Sequence, residues 1–86
     1  MTRLWAEGVR IQVVEGADGA PVRFLWGDTW HEVSAVANRW RVRATWWLPE
    51  ADAHREYVKL TTADGLMCTL YHDLRDGAWY CARVFD

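Results

Sequence analysis

Turn-forming residues interrupt this chain at short intervals, and that punctuation leaves room for strands but not for long helices. Gly27-Asp28 separates residues 22–26 from 29–36, two runs rich in aromatic and β-branched side chains. A Gly-Asp pair suits the two-residue turn of a tight hairpin, which sets Arg23 opposite Glu32 and Phe24 opposite His31. Ala63-Asp64-Gly65 ends a second run, 56–62, in which Val58 and Leu60 alternate with Tyr57, Lys59 and Thr61. Asp73-Leu74-Arg75-Asp76-Gly77 divides 66–72 from 78–85, and a type I turn closed by a left-handed Gly77 fits it. Asp73 then pairs with Ala78, Tyr71 opposes Tyr80 and Met67 opposes Val84, cross-strand pairs of the kind that hold a sheet together.

These runs predict an all-β domain, a small curved antiparallel meander or SH3-like barrel of about six strands. Closure removes the edges that an open sheet would leave for aggregation. The chain has 86 residues, and cores rarely divide below roughly 100 residues. Apolar residues make up 51% of it and seven are Trp, so large rings supply the buried area a short chain otherwise lacks. Residues 1–20 hold one short strand at 9–14 and then a loop rich in Gly, Asp and Pro. They read as an N-terminal strand and loop attached to a main all-β domain at 21–86. Residues 48–55 read as a loop, with one helical turn around 50–53.

Residues 38–47, Asn-Arg-Trp-Arg-Val-Arg-Ala-Thr-Trp-Trp, concentrate the arginines and tryptophans. In an extended strand Arg39, Arg41, Arg43 and Trp47 share one face, and Trp40, Val42 and Trp46 share the other. The second face is expected in the core. The first is the candidate binding face, extended by Tyr57 and Lys59 on the neighbouring run. Guanidinium groups fork two hydrogen bonds onto phosphate or carboxylate, and the three arginines repeat at about 6.8 Å, close to the phosphate spacing of a single strand. The competing reading makes the arginines a solvated face neutralised by Glu32 or Glu56.

The formal charge of −2 argues against coating nucleic acid by bulk electrostatics. No apolar stretch reaches the roughly 20 residues of a membrane span, and no secretory leader is recognisable, so the expected location is cytoplasmic, with Cys68 and Cys81 as reduced thiols. These cysteines and His72 offer no paired metal-ligand spacing, so no metal or other cofactor is expected. No Gly-x-Ser-x-Gly turn or phosphate loop accompanies His31, His54 or His72. The expectation is a protein that is not an enzyme.

A wider pattern runs through Phe24-Leu25-Trp26-Gly27, Trp40, Trp46-Trp47, Arg55-Glu56-Tyr57, Gly65, Leu70-Tyr71-His72-Asp73, Trp79-Tyr80 and Arg83-Val84-Phe85-Asp86. Over about residues 21–86 it resembles a small uncharacterised domain of bacterial proteins found with, or appended to, error-prone Y-family DNA polymerase-like proteins. The resemblance implies a context, an accessory role in DNA damage tolerance or translesion synthesis, and no chemistry of its own. The expected function is thus a non-catalytic interaction module for a protein partner, plausibly that polymerase machinery. The alternative is a single-stranded DNA- or RNA-binding domain using the Arg/Trp strand. An exposed edge on the N-terminal strand would also allow a homodimer by strand addition.

Overall fold

Six strands follow one another around a ring, each antiparallel to the next, and the first returns to pair with the last. The computed structural model of the chain describes residues 2–43 and 54–85, the backbone alone at 2–7 and 43. The strands are β1 (Thr2–Glu15), β2 (Pro21–Trp26), β3 (Thr29–Arg43), β4 (His54–Thr62), β5 (Met67–Asp73) and β6 (Trp79–Phe85). They form a closed barrel in the order β1-β2-β3-β4-β5-β6. No helix occurs among the described residues, and none is long and apolar enough to cross a membrane.

Two long strands make the closure possible by dividing their partners. β1 bonds β6 along residues 2–4 and 9–11 and bonds β2 along 12–15. β3 bonds β2 from Thr29 to Glu32 and β4 from Val33 to Arg43. Register shifts at Val33/Ala35 and Val36/Asn38 lie inside this single strand. An extra residue on one strand bends it and increases its twist.

The turns behave as their residues require. Gly27 has φ +62°, and the hairpin it closes pairs Arg23 with Glu32 and Phe24 with His31. The Asp73 amide donates to the Ala78 carbonyl at 2.9 Å, and Tyr71 opposes Tyr80. Further along, the expected Met67–Val84 pair is replaced by Met67–Phe85 and Cys68–Val84. A register shift at Thr69/Leu70 accounts for the slip. One unpaired residue moves every later pair by one position.

Alternation along β4 then decides the inside. Val58, Leu60 and Thr62 are buried, with Tyr57, Lys59 and Thr61 half-buried between them. Val58 and Leu60 meet Leu70 and Cys68 on β5, and these continue to Cys81 and Val84 on β6, with Phe24 from the other side of the ring. Fully burying a side chain such as Leu60 stabilises the fold by about 1.5–3 kcal/mol.

Candidate functional site

The register of β3 on β4 places the Arg/Trp run. Directly opposed residues in an antiparallel pair share a face. Arg39 opposes the buried Val58 and Arg41 opposes Glu56, whereas Trp40 opposes Tyr57 and Asn38 opposes Lys59. The arginines therefore follow the inward face to the mouth of the barrel, and Trp40 stands outside. This corrects the expected assignment of Trp40 to the core: it is 38% exposed, because the inward positions at this end are already taken by Arg39 and Arg41. Val42 is half-buried. Trp46 and Trp47 lie outside the described residues, as does the helical turn expected at 50–53; Arg43 is placed by its backbone alone, opposite His54.

Glu56 engages both placed arginines. Arg39 Nη2 donates to Oε1 at 3.1 Å and Arg41 Nε donates to Oε2 at 3.3 Å. Burial pushes the Glu56 carboxyl up, but the hydrogen bonds and charges of Arg39 and Arg41 outweigh it and hold the group below its ordinary value. One carboxylate set against two guanidinium groups leaves one positive charge over. Glu32 has no part in this cluster; it lies opposite Arg23 on β2.

Tyr57 and Lys59, from the same set of candidates, lie on the opposite face. There an aromatic ladder crosses four strands. Trp40 stacks on Tyr57 with centroids 5.4 Å apart and planes 7° from parallel. Tyr57 meets Tyr71 at 5.3 Å, and Tyr71 stacks on Tyr80 at 5.0 Å. Arg55 lies 4.5 Å over the Tyr71 ring and donates through Nη1 to the Tyr57 hydroxyl at 3.4 Å. Burial pushes the Tyr71 phenol up to about 12, despite the nearby Arg55 charge that favours its ionisation. Tyr71 therefore stays neutral and packs as a buried ring beneath the groove. At Gly8, φ is +76°, and an added Cβ would stand 2.8 Å from Tyr71 Cε2 and 2.9 Å from Tyr80 Cβ. Only glycine lets β1 pass this close to the ladder.

Beside the ladder is a groove of about 530 Å³ lined by Asn38, Trp40, Arg55, Tyr57, Lys59, Thr69, Tyr71, Ala82, Arg83 and Phe85. Lys59 Nζ and the Arg83 guanidinium each lie 5.5 Å from the centroid of the Phe85 ring. Three cations and four aromatic rings thus line it, Arg55 and Tyr71 as buried side chains beneath the others, and among the described residues no carboxylate lines the groove. A second hollow, lined by residues 9–12 and 25–27, carries Arg10 as its one charged side chain among the described residues.

The candidate set has therefore split between two faces: Arg39 and Arg41 at the mouth with Glu56, Tyr57 and Lys59 in the outer groove. The groove's other members, Asn38, Trp40, Arg55, Thr69, Tyr71, Ala82, Arg83 and Phe85, were not among the candidates. Tyr71 opposite Tyr80 was legible, and carrying that face across the Ala63-Asp64-Gly65 turn to Tyr57 would have exposed the ladder.

Among the described residues no three His, Cys, Asp or Glu side chains are grouped to hold a metal. His72 stacks on Trp79, with centroids 4.6 Å apart and planes 4° from parallel, and its Nε2 donates to the Gly77 carbonyl at 3.2 Å. Cys68 and Cys81 are buried thiols, and burial, with a smaller contribution from Cys81, pushes Cys68 up to about 12.

The whole chain, residues 1–86, matches the family described as a domain of unknown function, DUF6504. The chain belongs to that family. The match takes in residues 1–20, which lie outside the resemblance drawn from residues 21–86. No curated protein and no solved structure matches the chain.

Proposed function

We propose that this domain is a non-catalytic binding module that takes an acidic segment of a protein partner into the outer-face groove. The observation that carries the reading is the convergence of Lys59 and Arg83 with Trp40, Tyr57 and Phe85 around a groove whose described lining holds no carboxylate, on a chain of net charge −2. Arginine and large rings are the residues enriched at binding hot spots between proteins. A local cationic groove on an acidic molecule favours acidic partners and repels further copies of basic ones. Single-stranded nucleic acid is the less favoured ligand, because the arginine row suited to successive phosphates is partly neutralised by Glu56.

A fluorescein-labelled peptide of about ten residues, alternating Glu and Val, tests this by anisotropy, beside its Lys/Val counterpart and an oligothymidylate of similar length. The acidic peptide binds, the basic one does not, and Lys59→Glu/Arg83→Glu weakens binding by about tenfold or more, the effect of removing two charge contacts. Equal binding by the double variant, or preference for the oligothymidylate, overturns the proposal. The first full-length bait is an error-prone Y-family polymerase, the context that the sequence resemblance implies.

A further inference from the structure

We infer that the acidic segment is held as an added strand along the outer edge of β3, at residues 35–41. This rests on the reading of the groove as an acid-binding surface and says how the ligand enters it. β2 bonds β3 only as far as Glu32; from Val33 onward β4 is on one side, and no described strand bonds the other. All eight residues from Ser34 to Arg41 are exposed, including Val36 at 39% and Trp40 at 38%. A covered strand would bury alternate positions, so exposure on both faces marks a rim. The Arg39 amide also donates to Asn38 Oδ1 at 2.9 Å. A backbone donor is there satisfied by the neighbouring side chain, an acceptor that an incoming carbonyl would replace.

Charge selects the occupant. No acidic residue occurs between Glu32 and Glu50, and the interval holds Arg39, Arg41 and Arg43. A second copy pairing along this edge would set arginines against arginines, a like-charge juxtaposition that disfavours self-addition. The two register shifts in β3 further blunt indiscriminate pairing. An acidic strand instead gains on whichever face carries its carboxylates. Carboxylates on its inward side meet the cluster in which Arg41 is 66% exposed. On its outward side the added backbone lies about 9.6 Å from the Lys59 backbone, two strand spacings, a gap that Glu and Lys side chains span together. Asn38 and Trp40 belong to both the edge and the groove, which makes the two surfaces continuous.

The experiment uses the ¹⁵N-labelled full chain, the Glu/Val peptide, and two versions methylated at one or the other alternate set of backbone nitrogens. In strand addition only one set faces β3. The parent peptide is expected to slow amide exchange at 35–41 by about tenfold or more, and one methylated version to lose about tenfold in affinity while the other binds normally. If the parent peptide shifts Lys59 and Phe85 but leaves exchange along β3 unchanged and both methylated versions bind normally, strand addition is wrong and the groove reading stands. If the parent peptide does not bind, both readings fail. Protection of 35–41 without peptide, accompanied by a dimer in sedimentation, would assign the edge to a second copy and overturn the inference.

Discussion

Replacing Gly8 by Ala probes the contact on which the aromatic ladder depends. Two costs follow from the geometry. At φ +76° an L-residue loses about 1–2 kcal/mol relative to glycine. The new Cβ, 2.8 Å from Tyr71 Cε2 and 2.9 Å from Tyr80 Cβ, adds overpacking of about 1–3 kcal/mol. The sum is about 2–5 kcal/mol, and at about 4–8 °C per kcal/mol for a domain this size the centre of that range lowers Tm by about 20 °C. Gly27→Ala is the control. Its φ is +62° and nothing lies within 4 Å of an added Cβ, so it carries the conformational cost alone, about 1–2 kcal/mol and about 10 °C. Thermal unfolding followed by circular dichroism at one protein concentration compares the two. An equal loss at both positions would refute the close approach of β1 to Tyr71 and Tyr80. A larger loss at Gly8, with weakened peptide binding, would tie the groove's shape to this contact.

Glu56→Gln should cost about 1 kcal/mol, a modest figure because Arg41 is largely exposed and solvent screens the pair. The Glu56 carboxyl is held below its ordinary 4.5, so its stabilisation is complete above that pH and is lost as pH falls through the lower folded value; the wild-type advantage in urea titrations should shrink below about pH 4.5. Leu60→Ala, at a fully buried position, should cost about 2–5 kcal/mol by chemical denaturation. Cys68, buried and with its thiol pushed up to about 12, should resist iodoacetamide in native protein at pH 8 and be modified readily in urea, as mass spectrometry would show.

The sequence made the barrel legible through its turns: Gly27-Asp28 places Arg23 on Glu32 and Phe24 on His31, Asp73–Gly77 places Tyr71 on Tyr80, and alternation in 56–62 sets Val58 and Leu60 on the side opposite Tyr57 and Lys59. The same reasoning failed wherever a strand holds an extra residue. Five register shifts, two in β1, two in β3 and one at Thr69/Leu70, set partners that no local sequence pattern marks, and the last overturns the expected Met67–Val84 pair. The face of Trp40 was misread for a related reason. Hydrophobicity favours burying Trp over Arg, yet β3 here is a rim where the inward direction opens onto the barrel mouth, and stacking on Tyr57 gives the indole its contact. Lys59 and Tyr57 were found because they alternate with core residues. Arg55 belongs to the same alternation on the same strand, whereas Arg83 and Phe85 join them only through β5, by the pairing of Lys59 with Thr69 and of Thr69 with Arg83, which no short window of sequence contains.

The central claim is that the outer-face groove is where this domain meets its partner. A ¹⁵N–¹H shift map of the full chain titrated with the Glu/Val peptide addresses it most directly. The account predicts saturable shifts centred on Asn38, the Trp40 indole, Lys59, Arg83 and Phe85, lost in Lys59→Glu/Arg83→Glu. Shifts centred instead on the hollow at residues 9–12 and 25–27 would contradict it.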